Sequence, residues 1–458
     1  MKKIFSIFAV ALAAFAFASC AGDEDDLFSQ SAAERLNEAS DLYSSRLTAQ
    51  PNGWAMQLYP TTKDEAPYGN GYLVLMRFHK NHQVDVSMNN VLTNNVYLSD
   101  SSSWDVITDD GPVLSFDTHN EALHKFSDPD DVPQTGTSDN PNDETGTGIG
   151  GDFEFIIVDA PEDASYMMLK GKKRGTYNLL TPVEEGVDYE SYLTDVKGFM
   201  SKMFPANYPT YNLLHAADSL YRFDGADDGL PSIYLDGADA ITTGKFNPFL
   251  ITKRGQDYYL RFRDKATYNG LSVQEFRYSR DSDEFVSVDN KDVYISGNDA
   301  ISFFNSYIGT SAHRWAVTVS ANEDLSTLMS DSYLTIFNQI SNEFKAVNKN
   351  YYIRSLSLRN DNGAIKLSID YSGRVPARYV DYNLTKTENS DGSVKFEYTG
   401  CDDAAQKILN RVPSIQQMID LLCSSDYSIK GGDTNFNLTN IRLTSKSDAN
   451  NWIIFGMK

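Results

Sequence analysis

Two short turn sequences in the last third of the chain constrain its fold more than any other feature. Each turn lies between two strand-like runs: Asp361-Asn362-Gly363 joins 351–358 to 364–371, and Asp391-Gly392 joins 376–386 to 393–399. Asn-Gly and Asp-Gly favour the positive φ angles of tight two-residue hairpin turns. Because a hairpin makes neighbouring strands antiparallel, the sequence predicts mainly antiparallel sheet in this region.

Helical periodicity marks a few longer segments between the strand-like runs. Ser31-Ala-Ala-Glu34 forms a capping box ahead of a helix that ends near Gln50, and Asp188 can cap another helix. A second long helix is predicted over 326–347, and a helical segment over 403–422 is kinked or split at its proline. This order of elements predicts an α+β fold with mainly antiparallel sheets, a few long packing helices and two or more modules.

The first 19 residues form a predicted signal peptide of the lipoprotein type. Two lysines precede an apolar run, Ile4 to Phe17, that is too short to cross a bilayer, and Cys20 follows soon after it. We expect Cys20 to carry lipid and to hold the chain on a membrane surface. The acidic run from Asp23 to Asp26 belongs to a predicted tether over 20–30 and favours export to the outer face of the outer membrane, with a periplasm-facing anchor as the alternative.

The remaining chain divides into three predicted parts. An N-terminal α+β module covers 31–185 and includes a flexible loop at 127–151, a middle region covers 186–325, and a C-terminal α+β module covers 326–458. The helix-then-sheet units that begin near residues 29 and 326 weakly resemble each other, so two related modules remain an open alternative.

The formal net charge of −23 excludes some partners and identifies none. A chain this acidic is not expected to bind nucleic acid by releasing counterions from phosphates. Anionic lipid headgroups should repel it as well, so the predicted acyl chains must provide the membrane anchor.

Two cysteines besides Cys20 lie in the last sixty residues. Cys401 and Cys423 are 22 residues apart, and a disulfide is permitted in an exported protein. A disulfide between them and two separate buried thiols both remain open. The chain has no CxxC pair, and we predict neither a cofactor nor a metal site.

Several short patterns suggest chemistry without completing a site. His79 and His82 have metal-pair spacing but no third ligand nearby, and the basic residues 170–174 form a turn that a bound anion could share. Ser311 and His313 are close in sequence, although catalytic triads assemble in space. The sequence contains neither GxSxG nor HExxH, so whether the chain is an enzyme stays uncertain, and a non-catalytic role is favoured.

Several segments in the first half of the chain resemble one known family. They are PNGWAMQLYP (51–60), NGYLVLMRFHKNHQV (70–84), DDGPVLSFDTHNEALHKFSDP (109–129), GGDFEFIIV (150–158) and LKGKKRGTYNLLTPV (169–183). In this order they resemble a domain-of-unknown-function family of Bacteroidota surface lipoproteins that has no established activity. The resemblance implies outer-membrane nutrient-import components as partners, and a packing or hydrogen-bonding role for His124.

These observations lead to one expected function and two alternatives. We expect a membrane-anchored, surface-exposed accessory lipoprotein with a non-catalytic binding role in the acquisition of a glycan or peptide nutrient. An extracellular hydrolase acting on polymer fragments and a structural or adhesive surface protein are the alternatives.

Overall fold

The computed structural model describes residues 31–64, 66, 68–109, 111–128, 148–206, 212–320, 324–372 and 378–458. The predicted signal peptide, Cys20 and the acidic tether lie outside these residues, as does 129–147 of the predicted loop. Strands account for 42% of the described residues and helices for 24%.

The helices are mostly short and lie between or beside the strands. They are α1 (Ala32–Ala49), α2 (Glu121–His124), α3 (Tyr189–Met203), α4 (Ala240–Thr243), α5 (Ala300–Ile308), α6 (Asp331–Val347), α7 (Asp403–Leu409) and α8 (Ser414–Cys423), with 3₁₀ turns at Val91–Thr93, Ala226–Asp228 and Leu325–Thr327. The capping box ahead of α1 is confirmed, because Ser31 and Glu34 exchange side chain–backbone hydrogen bonds. No described helix is both long and apolar enough to span a bilayer.

The second long helix begins five residues later than its periodicity predicts. It starts at Asp331 and not at Ser326. The residues just before it pair with the last strand, since Ser330 N donates to Trp452 O at 2.9 Å and Met329 forms a bridge with Ile453. Tertiary hydrogen bonds therefore override the local helical pattern.

The first sheet is a closed barrel of eight antiparallel strands, each paired with its neighbours in sequence. The strands are β1 (Trp54–Leu58), β2 (Tyr72–Phe78), β3 (Gln83–Met88), β4 (Leu98–Thr108), β5 (Pro112–Phe116), β6 (Glu154–Asp159), β7 (Met167–Gly171) and β8 (Tyr177–Pro182). Pairing of β1 with β8 closes the barrel. Large side chains, including Trp54, Met76 and Trp104, fill its interior and are fully buried, as expected for an eight-stranded barrel of this kind.

The middle sheet has nine strands, and its two edge strands follow each other directly in the chain. The strands are β9 (Asn212–Ala216), β10 (Ser219–Asp224), β11 (Ser232–Leu235), β12 (Lys245–Phe246), β13 (Phe249–Arg254), β14 (Asp257–Tyr268), β15 (Leu271–Ser279), β16 (Glu284–Ser287) and β17 (Val293–Ser296). The edge strands are β12 and β13, and only Asn247 and Pro248 separate them in sequence. The sheet must therefore bend into a barrel-like shape.

The third sheet is a second closed barrel of eight antiparallel strands. The strands are β18 (Arg314–Thr318), β19 (Tyr352–Asp361), β20 (Ala364–Ser372), β21 (Arg378–Glu388), β22 (Val394–Cys401), β23 (Asp426–Gly431), β24 (Asn440–Ser445) and β25 (Trp452–Met457). The barrel is closed by β18, which precedes α6 and pairs with both β19 and β25. The predicted C-terminal module over 326–458 leaves this closing strand out.

The predicted α+β class with long packing helices is wrong. The antiparallel sheet is confirmed, but three curled sheets dominate the described residues, and no separate helical layer covers them there. The alternation of apolar and polar residues identifies strands, yet it does not show whether a sheet stays open or closes on itself. The helical segments form helices, but these make up a smaller share of the fold than the sequence predicts.

The second barrel is fastened to the middle sheet by the loop between β23 and β24. Phe436 in this loop is fully buried, with its ring 5.4 Å from Phe285 and 5.7 Å from Phe204. Asp283 accepts hydrogen bonds from Thr434 Oγ1 and Asn435 N, both at 2.7 Å. An aromatic anchor and a charged acceptor thus fix this loop together.

Candidate functional site

The candidate site lies on the outer face of the second barrel, where β18 to β21 run side by side. Their inward residues, such as Trp315, Leu358 and Leu367, are buried in the barrel core. The residues between them point outward because successive side chains of a strand alternate between faces. Serine, arginine and aspartate occupy most of these outward positions.

The pairing register arranges the outward residues in three rows across the four strands. The first row is Arg314, Arg359, Lys366 and Asn383, the second is Ala316, Ser357, Ser368 and Asp381, and the third is Thr318, Ser355, Asp370 and Tyr379. The second row has small side chains on three of its four strands. Arg314 and Arg359 on one side of it, and Asp370 and Tyr379 on the other, border a depression in the barrel wall.

The side chain of Arg359 extends from the first row across this depression in a fixed orientation. Its Nε donates to Ser368 Oγ at 2.8 Å, and its Nη2 donates to Asp381 Oδ2. The guanidinium also lies over the ring of Tyr379, at 5.5 Å from the ring centroid. Charge-assisted bonds and ring stacking together orient the arginine before any ligand binds.

Two oxygens beside this arginine are buried and have no hydrogen-bond partner. They are Asp370 Oδ1 and Ser355 Oγ, and neither is satisfied by any residue that the structure describes. The two residues lie directly opposite each other on β19 and β20. Because buried polar atoms in proteins are nearly always paired, we expect ordered water to satisfy these two oxygens.

A loop ahead of β18 forms the rim of a cavity of about 390 Å³. Ser311 and His313 both lie on this rim and are exposed. The ring of His313 stacks on Tyr307 with centroids 4.4 Å apart, and its Nδ1 is 3.0 Å from Thr310 Oγ1. Thr310, and not Ser311, is thus the hydrogen-bond partner of His313, so the geometry shows no hydrogen bond between the Ser311 and His313 side chains.

More than half of the chain matches one family model. Residues 24–280 match the family described as Domain of unknown function (DUF4302). The chain belongs to the DUF4302 family. The matched residues include the first barrel and the middle sheet as far as β15, while the second barrel lies beyond them. No curated protein matches this chain.

The two cysteines outside the predicted lipid site are separate thiols in this DUF4302 protein. Cys401 and Cys423 are both half-buried and unbonded. Cys401 Sγ lies 3.7 Å from Gln406 Oε1, and burial raises the pKa of the Cys423 thiol. Cys20 falls outside the described residues, so its predicted role as the lipid site stays a prediction.

The histidines of the first barrel pair with neighbouring side chains. His79 Nε2 is 2.8 Å from Asp85 Oδ2, and His82 stacks on Trp104. The described residues contain no cluster of three or more ligands that could hold a metal ion. Asn120 N donates to His124 Nδ1 at 3.0 Å, and burial lowers the pKa of this histidine, as expected for a packed residue.

The basic turn of the first barrel is neutralised by nearby acidic residues. Lys172 Nζ lies 2.6 Å from Asp109 and 3.0 Å from Glu154. Burial raises the pKa of Asp152, although this carboxylate accepts hydrogen bonds from the backbone amides of residues 173 and 174. An anion at this turn would have to compete with carboxylates already in place.

Apart from Ser311 and His313, sequence reasoning missed the residues that line the candidate cavity. The SLSLR run (355–359) and the KLSID run (366–370) each alternate apolar and polar residues around the predicted Asn362-Gly363 turn. A two-residue turn fixes the register, so the pairs Ser357–Ser368 and Ser355–Asp370 followed from the sequence. The contributions of β18 and of Tyr379 required the three-dimensional structure.

Proposed function

We propose that this DUF4302 protein is a membrane-anchored, surface-exposed accessory lipoprotein that binds a glycan in the cavity on the outer face of its second barrel. The observation that carries the proposal is the exposure of the Tyr379 ring at this cavity. Its side chain is 66% exposed, yet it stands beside an oriented arginine at the wall of a polar cavity. An exposed ring next to preoriented polar groups is a common arrangement at binding surfaces.

The chemistry of the cavity matches that of a sugar. One face of a sugar ring presents C–H groups that pack on an aromatic ring, and its hydroxyls both donate and accept hydrogen bonds. Tyr379 offers the ring, Arg359 offers donors, and Asp370 offers an acceptor, while serine hydroxyls can do either. A peptide could use the same donors and acceptors, so the binding test below includes peptides as the competing class.

The filled interior of the second barrel supports a binding site on its outer face. Eight-stranded barrels that carry ligands hold them in a central cavity. Here the interior of the second barrel is occupied by bulky buried residues such as Trp315, Tyr382 and Phe396. Its outward polar residues are the groups that remain for recognition.

The proposed location rests on the sequence before the described residues. The apolar run ending before Cys20 supports a lipid anchor, and the acidic residues after it support display at the outer membrane. The resemblance to surface lipoproteins supports outer-membrane import components as partners. Cys20→Ala should prevent palmitate incorporation and release the protein from membranes, and continued palmitate labelling of the variant would refute the anchor.

A binding experiment tests the site. Purified protein should bind members of a glycan array, and Tyr379→Ala should weaken that binding by about tenfold or more, as loss of an aromatic anchor commonly does. Tyr177→Ala is the matched control, because Tyr177 is a 53% exposed tyrosine on the first barrel. Equal loss in both variants, or binding to peptides alone, would contradict the proposal, and release of shorter fragments from a bound glycan would support the hydrolase alternative.

A further inference from the structure

The charge of the candidate cavity differs from that of the protein as a whole. The chain has a formal net charge of −23, but three cationic side chains, Arg314, Arg359 and Lys458, line this cavity together with one carboxylate, Asp370. Arg314 and Arg359 lie directly opposite each other on β18 and β19. Like charges in this position repel each other, so their presence together calls for a compensating negative group.

Acidic side chains compensate only part of this charge. Asp381 forms an ion pair with Arg359. Lys366, which lies in the same row as Arg359, forms an ion pair with Asp361. Arg314 is exposed and forms no ion pair with any described residue. Its backbone is nevertheless held in place, because Arg314 N donates to Lys458 O at 2.9 Å and Lys458 N donates to Arg314 O at 3.0 Å.

The positions of Arg314 and Tyr379 indicate the length of a ligand that would touch both. They stand on the first and the last of four adjacent strands, in the first and the third row. Three strand spacings separate the backbones of these two residues by about 14 Å across the sheet. A single sugar ring is shorter than this distance, whereas an oligosaccharide can reach from one residue to the other.

We infer that the ligand of this cavity is an acidic oligosaccharide, with a carboxylate or sulfate group at Arg314 and a sugar ring on Tyr379. This inference rests on the proposed glycan-binding function and adds the class of glycan to it. Arg314 supplies a charged donor for the anionic group. Asp370, at the other side of the cavity, faces the uncharged hydroxyls and would disfavour a second anionic group there.

The test compares acidic and neutral forms of the same glycan. Purified protein is titrated with oligogalacturonate and its methyl ester, and with a sulfated galactan oligosaccharide and its desulfated form. We expect at least one acidic form to bind about tenfold more tightly than its neutral counterpart, and Arg314→Gln to remove this difference. Arg354→Gln is the matched control, since Arg354 is an exposed arginine elsewhere on β19, and it should leave the difference intact.

The outcomes separate this inference from the proposed function. If Arg314→Gln leaves the acidic preference unchanged, or if neutral forms bind equally well while Tyr379→Ala still abolishes binding, the acidic class is wrong and the glycan site stands. If neither form binds and the glycan array shows no ligand, both proposals fail. If the wild-type protein prefers the acidic form in only one of the two glycan pairs, and Arg314→Gln removes that preference, the pair identifies the anionic group as carboxylate or sulfate.

Discussion

The two closed barrels share a strand order and differ in how the chain completes them. In the first barrel α1 precedes all eight strands, and β1 closes against β8. In the second barrel one strand, β18, comes before the long helix α6 and closes between β19 and β25. The same wall can therefore be built with its first strand on either side of a helix.

The outer faces of the two barrels differ more than their interiors do. On the first barrel Ala55, Leu73 and Leu75 point outward, and they are buried in a core shared with α3 and the middle sheet. On the second barrel the outward positions of β18 to β21 carry serines and charged residues. The outward residues, and not the strand order, decide whether a barrel wall serves packing or recognition.

The largest expected effect comes from the loop that ties the second barrel to the middle sheet. Phe436→Ala should lower the free energy of unfolding by about 3–5 kcal/mol, because it leaves a cavity among Phe204, Phe285 and their neighbours. Urea denaturation measures the change. Val288→Ala is the control, since Val288 is 58% exposed, and it should change stability by about 0.5 kcal/mol or less.

A second substitution tests whether the outward-facing residues of the first barrel are buried against α3 and the middle sheet. Leu75 is fully buried although it points away from the barrel core. Leu75→Ala should cost about 3 kcal/mol, while Asn383→Ala, on the outer face of the second barrel, should cost far less. Equal, small losses for both variants in the same denaturation experiment would remove the contrast between the two walls.

The third prediction concerns Asp283, the charged acceptor that binds the loop between β23 and β24. Asp283 accepts hydrogen bonds from Thr434, Asn435 and Tyr278. Asp283→Asn keeps a residue that tolerates the positive φ of this position, but it turns one acceptor into a donor. We expect a loss of about 2 kcal/mol, and no comparable loss for the exposed neighbour Asp281→Asn.

The sequence predicted the local features of this fold better than the closure of its sheets into barrels. The Asn362-Gly363 hairpin forms as predicted, with φ angles of 53° and 92°, because turn chemistry depends on only a few adjacent residues. Closure depends on contacts far apart in the chain, such as Trp315 against Met457. No local pattern records such a pair, and the α+β prediction failed for that reason.

The same distinction applies to the candidate site. Ser357 and Ser368 could be paired through the hairpin, but Arg314 reaches the cavity only because β18 inserts beside β19. The sequence motif that drew attention, Ser311 with His313, does lie at the cavity rim, although His313 bonds to Thr310. The motif thus marked part of the rim, but nearness in sequence did not show which side chain bonds to His313.

The smallest effect at neutral pH is expected at α3, the helix that joins the first barrel to the middle sheet. Tyr192 Oη donates to Lys253 O at 2.7 Å, and burial raises the pKa of this phenol to about 12 from a usual value of 10.0. Tyr192→Phe should therefore cost about 1 kcal/mol near pH 7 through the lost hydrogen bond.

The sign of this effect should reverse in alkali. A raised pKa means that the folded protein prefers the protonated phenol, so the stabilisation is complete below pH 10 and is lost as the pH rises toward about 12. The wild-type protein should lose roughly 2 kcal/mol over this interval relative to Tyr192→Phe, which has no phenol to ionise. Unfolding free energies measured between pH 8 and pH 12 should show the variant becoming the more stable protein near pH 11. Parallel profiles for the two proteins would mean that this hydroxyl is accessible to solvent and that α3 is held by its apolar face alone.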